Sequence, residues 1–154
     1  EPFLRARCHR DSGQALTMPP VCVDASLVLM LLIEEERSER AEALWARWQA
    51  EGATPLGPPL LFAEVPSVLR QRVFFGRLRP EEGEEAFETF CAMGIAVSRR
   101  PDLHRLAWEL AKQHRRPRVY DSFYLAAAQA EGCELWTGDI RLANAVSLPW
   151  VKLV

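Results

Sequence analysis

The spacing of apolar and polar positions changes repeatedly along this chain, and the changes mark out alternating strands and helices. Val21, Cys22 and Val23 form a β-branched run after Pro19-Pro20 and give way to a longer apolar run, Leu27–Ile33. The first reads as a buried strand, Val21–Ala25, and the second as a helix. Glu34-Glu35-Glu36 interrupts. Ser38 then stands where an N-cap belongs, ahead of a helix over Ser38–Ala50 whose Leu44, Trp45 and Trp48 recur at helical spacing. Six acids against three arginines in Glu34–Glu51 make its outer face acidic, a solvated face over a packed stripe. Gly52 closes that helix and Gly57-Pro58-Pro59 marks a turn, leaving Ala53–Leu56 as a short strand.

The second half repeats the alternation. Leu60–Phe75 reads as a helix stopped by Gly76. Pro80 sits at the N1 position of the next, Glu81–Met93, whose glutamate-rich first turn suits the helix dipole. Ile95–Val97 is a strand, Pro101 opens a helix to about His114, and Tyr120–Glu131 is a helix ended by Gly132. Glu134–Thr137, Ile140–Ala145 and Trp150–Val154 follow as strand, short helix and strand. Strands that alternate with helices predict an α/β fold, a mainly parallel sheet with helices on both faces.

Composition narrows this little. The chain has 154 residues, 49% hydrophobic and 26% charged, enough for one domain with a real core. A net charge of −2 carries no global nucleic-acid signature, so any basic surface is local. No apolar run reaches the roughly 20 residues that span a bilayer, and Glu1–Thr17 is too polar for a secretory signal. Cys8, Cys22, Cys91 and Cys133 lack C-x-x-C spacing, which suggests a reducing cytoplasm without disulfides or zinc. His9, His104 and His114 are too scattered to form a ligand set. Residues 1–20 are read as an N-terminal tail and 21–154 as the domain.

Four acids break the pattern. Asp24 stands where the first strand passes into a helix, and Asp139, after Leu135-Trp136-Thr137-Gly138, repeats that placement. Either can be an ordinary helix N-cap. In a parallel sheet they also point to the same edge, outside the carboxyl ends of the strands, where ligands bind. Glu64 falls on the wheel between Leu60 and Val68, at the rim of the apolar arc, so it either snorkels to water or faces a pocket. Nearby Pro66 suggests that the helix begins near Glu64 or kinks there. Asp121 opens a helix that is apolar almost all round, as an N-cap or as a buried acid in need of several partners. Four ionised carboxylates share a site only around a cation, and an all-oxygen set suits Mg²⁺ or Mn²⁺. Metal-assisted phosphoryl transfer is the chemistry such a site favours. Arg99, Arg100, Arg105, Lys112, Arg115, Arg116 and Arg118 face only Asp102 and Glu109 in the same span, a local basic stretch that fits a polyanion or is a solvated face.

Taken in order, Val-Asp-Ala-Ser at residues 23–26, Ala-Glu-Val at 63–65, Tyr-Asp-Ser-Phe-Tyr-Leu-Ala at 120–126 and Thr-Gly-Asp at 137–139 resemble the PIN domain, and within it the VapC-type toxin ribonucleases. The likeness covers Val21–Val154. It implies a three-layer α/β/α sandwich and a Mg²⁺- or Mn²⁺-dependent endoribonuclease acting on RNA. It implies a homodimer and a VapB-like antitoxin whose C-terminal segment enters the active-site groove. By motif, Asp24, Glu64, Asp121 and Asp139 would be the metal-binding acids, with Asp24 and Asp121 the main ligands of a first ion. Ser26 and Thr137 would support them. Arg99, Arg100, Arg115, Arg116 and Arg118 would meet RNA. Two other functions stay open: an RNA-processing nuclease without an antitoxin, and a non-catalytic module that binds a partner through Trp45, Trp48 and Phe74-Phe75. Arg5, Arg7 and Arg10 suggest that Glu1–Thr17 packs against an acidic groove of its own or a neighbouring subunit.

Overall fold

The computed structural model describes residues 18–154. The expectations for Glu1–Thr17, with Arg5, Arg7, Arg10, Cys8 and His9, lie outside the described residues. From there the chain runs β1 (Val21–Val23), α1 (Ala25–Leu32), α2 (Ser38–Glu51), β2 (Pro55–Gly57), α3 (Leu61–Phe74), α4 (Pro80–Ala92), β3 (Ala96–Val97), α5 (Leu103–Gln113), α6 (Tyr120–Glu131), β4 (Glu134–Thr137), α7 (Ile140–Val146) and β5 (Val151–Leu153).

All pairings are parallel, in the order β3-β2-β1-β4-β5. Val21 lies opposite Pro55 and Glu134, and Leu135 opposite Val151. The chain steps outward from β1 to β3, returns, and lays β4 on the other side of β1. Right-handed crossovers therefore put α1–α4 on one face and α5–α7 on the other. In keeping with this, α1 packs with α2, α3 and α4, while α5 packs with α6. This is the three-layer sandwich expected. β1 is central and wholly buried, which is why its three residues are all apolar. Val23, Leu27, Val28, Leu61, Val65, Leu125 and Leu135 are the centre of the core.

Boundaries moved where packing overrode local signals. Gly57 is a strand residue, not part of the turn; a Cβ there would stand 2.6 Å from Leu61 Cδ2, so the missing side chain lets α3 start hard against β2. β1 ends at Val23 because Asp24 already caps α1. α3 is unbroken from Leu61 to Phe74 with Pro66 inside it, so the helix begins ahead of Glu64 and not at it. Pro101 and Asp102 form a turn, and α5 starts at Leu103.

The aromatics divide. Trp48 is buried with its ring 5.8 Å from that of Trp136 and 6.0 Å from that of half-buried Trp45, so this pair belongs to the α2–sheet contact. Phe74 and Phe75, at the end of α3, are 71% and 69% exposed and stack edge-on against each other. Cys22, Cys91 and Cys133 are free thiols. Among the described residues no helix is long and apolar enough to cross a membrane.

Candidate active site

Strand order reverses between β1 and β4, and in open parallel sheets the crevice at such a point is where ligands sit. Asp24 follows β1 there and Asp139 follows β4. Asp24 is the N-cap of α1: Oδ1 accepts the Leu27 backbone N–H at 3.0 Å and the Ser26 hydroxyl at 2.6 Å. Oδ2 accepts the Thr137 hydroxyl from the neighbouring strand. Thr137 Oγ1 in turn accepts the Asp139 backbone N–H at 2.9 Å, and Ser26 Oγ accepts that of Gly138 at 2.9 Å. The Asp24 carboxylate, two hydroxyls and the backbone N–H groups of Gly138 and Asp139 are thus tied into one hydrogen-bonded cluster across the ends of β1 and β4.

Asp24 is only 4% exposed. Burial pushes its carboxyl up to about 6; the bonds from Ser26, Thr137 and Leu27 pull the other way, and the charge of Asp139 adds to the rise. Asp139 caps α7, its Oδ1 accepting from Arg141 N at 2.8 Å and Leu142 N at 3.1 Å. A Cβ at Gly138, between them, would stand 2.3 Å from Met30 Cε and 3.3 Å from Ser26 Oγ, so a side chain there would push the Met30 methyl aside. Arg37, which the sequence placed only among the charges around α2, clamps this turn by donating to Gly138 O at 2.7 Å and Val154 O at 2.6 Å.

Glu64 is half-buried on α3, and its Oε2 accepts the Tyr124 hydroxyl of α6 at 2.6 Å. Tyr124 is 3% exposed, and burial, then Glu64, drives its phenol far above its usual range; the charge of Asp24 acts in the same direction. A tyrosine three residues after Asp121 on an otherwise apolar helix was the available signal for this partner. Tyr124→Phe is expected to release Glu64 and to cost about 1.5–3 kcal/mol, the usual worth of a bond to a charged group, read from urea denaturation.

Asp121 departs from both readings made of it. The N-cap of α6 is Val119, and the Asp121 side chain is 42% exposed, so it neither caps the helix nor lies buried. Its Oδ2 instead accepts from Arg116 Nη2 at 2.8 Å. The rest of the basic stretch is mixed. Arg99, Arg105, Arg115 and Arg118 are exposed, Arg100 lies 3.4 Å from Glu131, and Lys112 pairs with Glu109 at 3.0 Å.

By residue type, Asp24, Glu64, Asp121 and Asp139 offer the oxygen donors that a hard divalent ion takes. Among the described residues, no three His, Cys, Asp or Glu side chains are gathered closely enough to hold a metal.

The fold is an α/β/α domain whose Asp24 and Asp139 follow the two strands, β1 and β4, that flank the switch point of a parallel sheet. The PIN domain model matches residues 21–147, and the chain belongs to that family. Ribonuclease VapC1 of Mycobacterium tuberculosis is 32% identical over 142 residues, 89% of this chain and 99% of the relative. Among solved structures, VapC20 of M. tuberculosis, a sarcin-ricin loop cleaving toxin, superposes with a TM-score of 0.62 at 20% identity, over 81% of this chain and 94% of that one. VapBC2 from Rickettsia felis, bound to a DNA fragment from its promoter, gives 0.62 at 12% identity, over 87% and 96%. These two share the fold.

Proposed function

We propose that this protein is an endoribonuclease of the VapC type, with Asp24, Glu64, Asp121 and Asp139 holding Mg²⁺ or Mn²⁺. The observation that carries the reading is the buried Asp24, joined through Thr137 to Asp139 at the switch point, in a chain 32% identical to a VapC ribonuclease. Bound there, the ion would make a water more acidic and offset charge on the phosphate. The protein's part is placement. Ser26, Thr137 and Leu27 N–H direct the lone pairs of Asp24, and Tyr124 turns Glu64. The exposed Arg99, Arg105, Arg115 and Arg118 offer charge to an RNA backbone, so affinity for RNA should fall steeply with salt.

The VapBC2 relative supports a VapB-like antitoxin as partner. Light scattering on the free protein is expected to show a homodimer. Exposed Phe74-Phe75 supplies an apolar surface for one, and a monomer at micromolar concentration would remove that part of the reading.

A sequence-selective ribonuclease is silent on the wrong RNA, so metal binding is the sharper test. Calorimetry should show Mn²⁺ binding by wild type that is lost in Asp121→Asn. A folded wild type that binds no Mn²⁺, with or without RNA, would refute the metal site.

A further inference from the structure

Trp108 is 60% exposed on α5, a place where packing gives no reason for an indole. α5 turns Leu103, Ala107, Leu110 and Ala111 inward, and position 108 falls outside that stripe. His104 and Arg105, one turn before it, are exposed as well. At the start of α6, Val119 and Phe123 are half-buried, and Phe123 packs on the core. These five residues and Glu109 line one hollow of about 770 Å³, within the size range of small-ligand sites. Its surface is apolar and aromatic where Trp108, Val119 and Phe123 meet it, and Arg105 stands at the same hollow. Glu109 is offset by Lys112 Nζ at 3.0 Å. From Arg99 to Arg118 the other ion pairs are Arg100 with Glu131 and Arg116 with Asp121, which leaves Arg99, Arg105, Arg115 and Arg118 unpaired among the described residues. Arg118 directly precedes Val119 of the hollow.

We propose that this hollow is a stacking site for an unpaired RNA base, with Trp108 as the platform and Arg105 on the adjacent phosphate. The proposal rests on the reading of the protein as a ribonuclease, and it needs no metal. Every base has a face that stacks on an indole, so such a site grips a strand whatever its sequence. A base inside a duplex is already stacked on both sides, so the strand held here is single. Charge selects this occupant over a second copy of the chain. A copy related by a two-fold axis would set Arg105 and the unpaired arginines near it against themselves, like charge facing like. A polyanion meets the same arginines with the opposite sign.

The test is fluorescence anisotropy of the full chain in EDTA at low salt, with a short labelled oligouridylate and an abasic oligomer of the same length. Wild type, Trp108→Ala, Trp108→Phe and Arg105→Ala are compared, with folding checked by circular dichroism. Trp108→Ala is expected to bind the oligouridylate about 5–150-fold more weakly, the range for losing one stacked base, and the abasic oligomer as wild type does. Trp108→Phe keeps a ring and should retain most of the affinity. Arg105→Ala should weaken both oligomers and lower the salt slope by about one. Equal oligouridylate affinity in wild type and Trp108→Ala would overturn the proposal and leave the ribonuclease reading standing. Equal losses on both oligomers would overturn it as well, because the indole would then serve the backbone and not a base. A Trp108→Ala variant that becomes monomeric by light scattering, with RNA affinity unchanged, would give the hollow to a second copy instead. A wild type that binds neither oligomer removes the stacking site, and the Mn²⁺ titration then decides the ribonuclease reading separately.

Discussion

Substituting Asp24 by Asn is expected to abolish RNA cleavage and, in the EDTA-treated protein, to raise thermal stability at pH 7. The first effect follows from removing one charge from the proposed metal-binding set; several kcal/mol of transition-state stabilisation correspond to about 10³-fold in rate. The second follows from burial. The Asp24 carboxyl goes from 3.8 when unfolded to about 6 in the fold. Above pH 6 it is ionised in both states, and the fold bears the cost of holding a buried charge. As pH falls through 6 toward 4 the folded protein takes up the proton first, so stability rises with acidification. At 1.36 kcal/mol per unit the full window is worth about 3 kcal/mol. Asn keeps the N-cap acceptor for Leu27 N–H and carries no charge, but its amide nitrogen cannot accept the Thr137 hydroxyl, which offsets about 1–3 kcal/mol of the gain, so the variant should melt up to about 5 °C above wild type at pH 7 and show a flatter profile down to pH 5. Scanning calorimetry in EDTA decides it. A variant that melts lower than wild type would make Asp24 a structural cap whose charge is needed for folding.

The second large effect is expected at Thr137, which is fully buried and serves two acids at once. Thr137→Val preserves shape but removes the donor to Asp24 Oδ2 and the acceptor for Asp139 N–H. Two groups lose their partner in a place water reaches poorly. At about 1–3 kcal/mol for each unmet group, a total loss of about 2–6 kcal/mol follows, or about 5–20 °C in melting temperature. Metal affinity should drop about 10–100-fold, the usual consequence of removing a group that orients a ligand. Thr137→Ser retains the hydroxyl and should recover most of the metal affinity, with a smaller loss of stability from the missing methyl. If the Val variant binds Mn²⁺ as wild type does, the β4 hydroxyl does not position the site.

Much of the fold was readable along the chain, because its signals are local. Strands and helices alternate in hydrophobic period, Gly52 and Gly132 stop helices in the left-handed conformation that glycine adopts freely, and Pro80 starts α4 at N1. The misplacements, at Gly57 and around Pro66, came from the same source in reverse. Gly57 looked like a turn residue, and it is in a strand because Leu61 packs where its side chain would be. Pro66 left open a start near Glu64 within the helix read over Leu60–Phe75, and α3 runs from Leu61 through Pro66 with Leu61, Val65 and Leu69 anchored in the core.

For the site, the sequence determined the inventory: which acids stand at strand ends, that Ser26 and Thr137 accompany them, and that a basic stretch precedes Asp121. Those are matters of residue type and spacing. Only the tertiary structure decided the pairings, since each joins groups that the linear pattern leaves unrelated. Thr137 meets Asp24 because β1 and β4, 113 residues apart at this contact, lie side by side. Tyr124 meets Glu64 across the layers, from α6 to α3. Arg116, counted in the sequence as one more cation for RNA, is turned by a left-handed residue onto the acid it would otherwise only precede. Hydrophobic period fixes which face of an element is buried, but not which polar group on the neighbouring element it will find there, and around Asp24, Glu64 and Asp121 that second question decides how each carboxylate is paired.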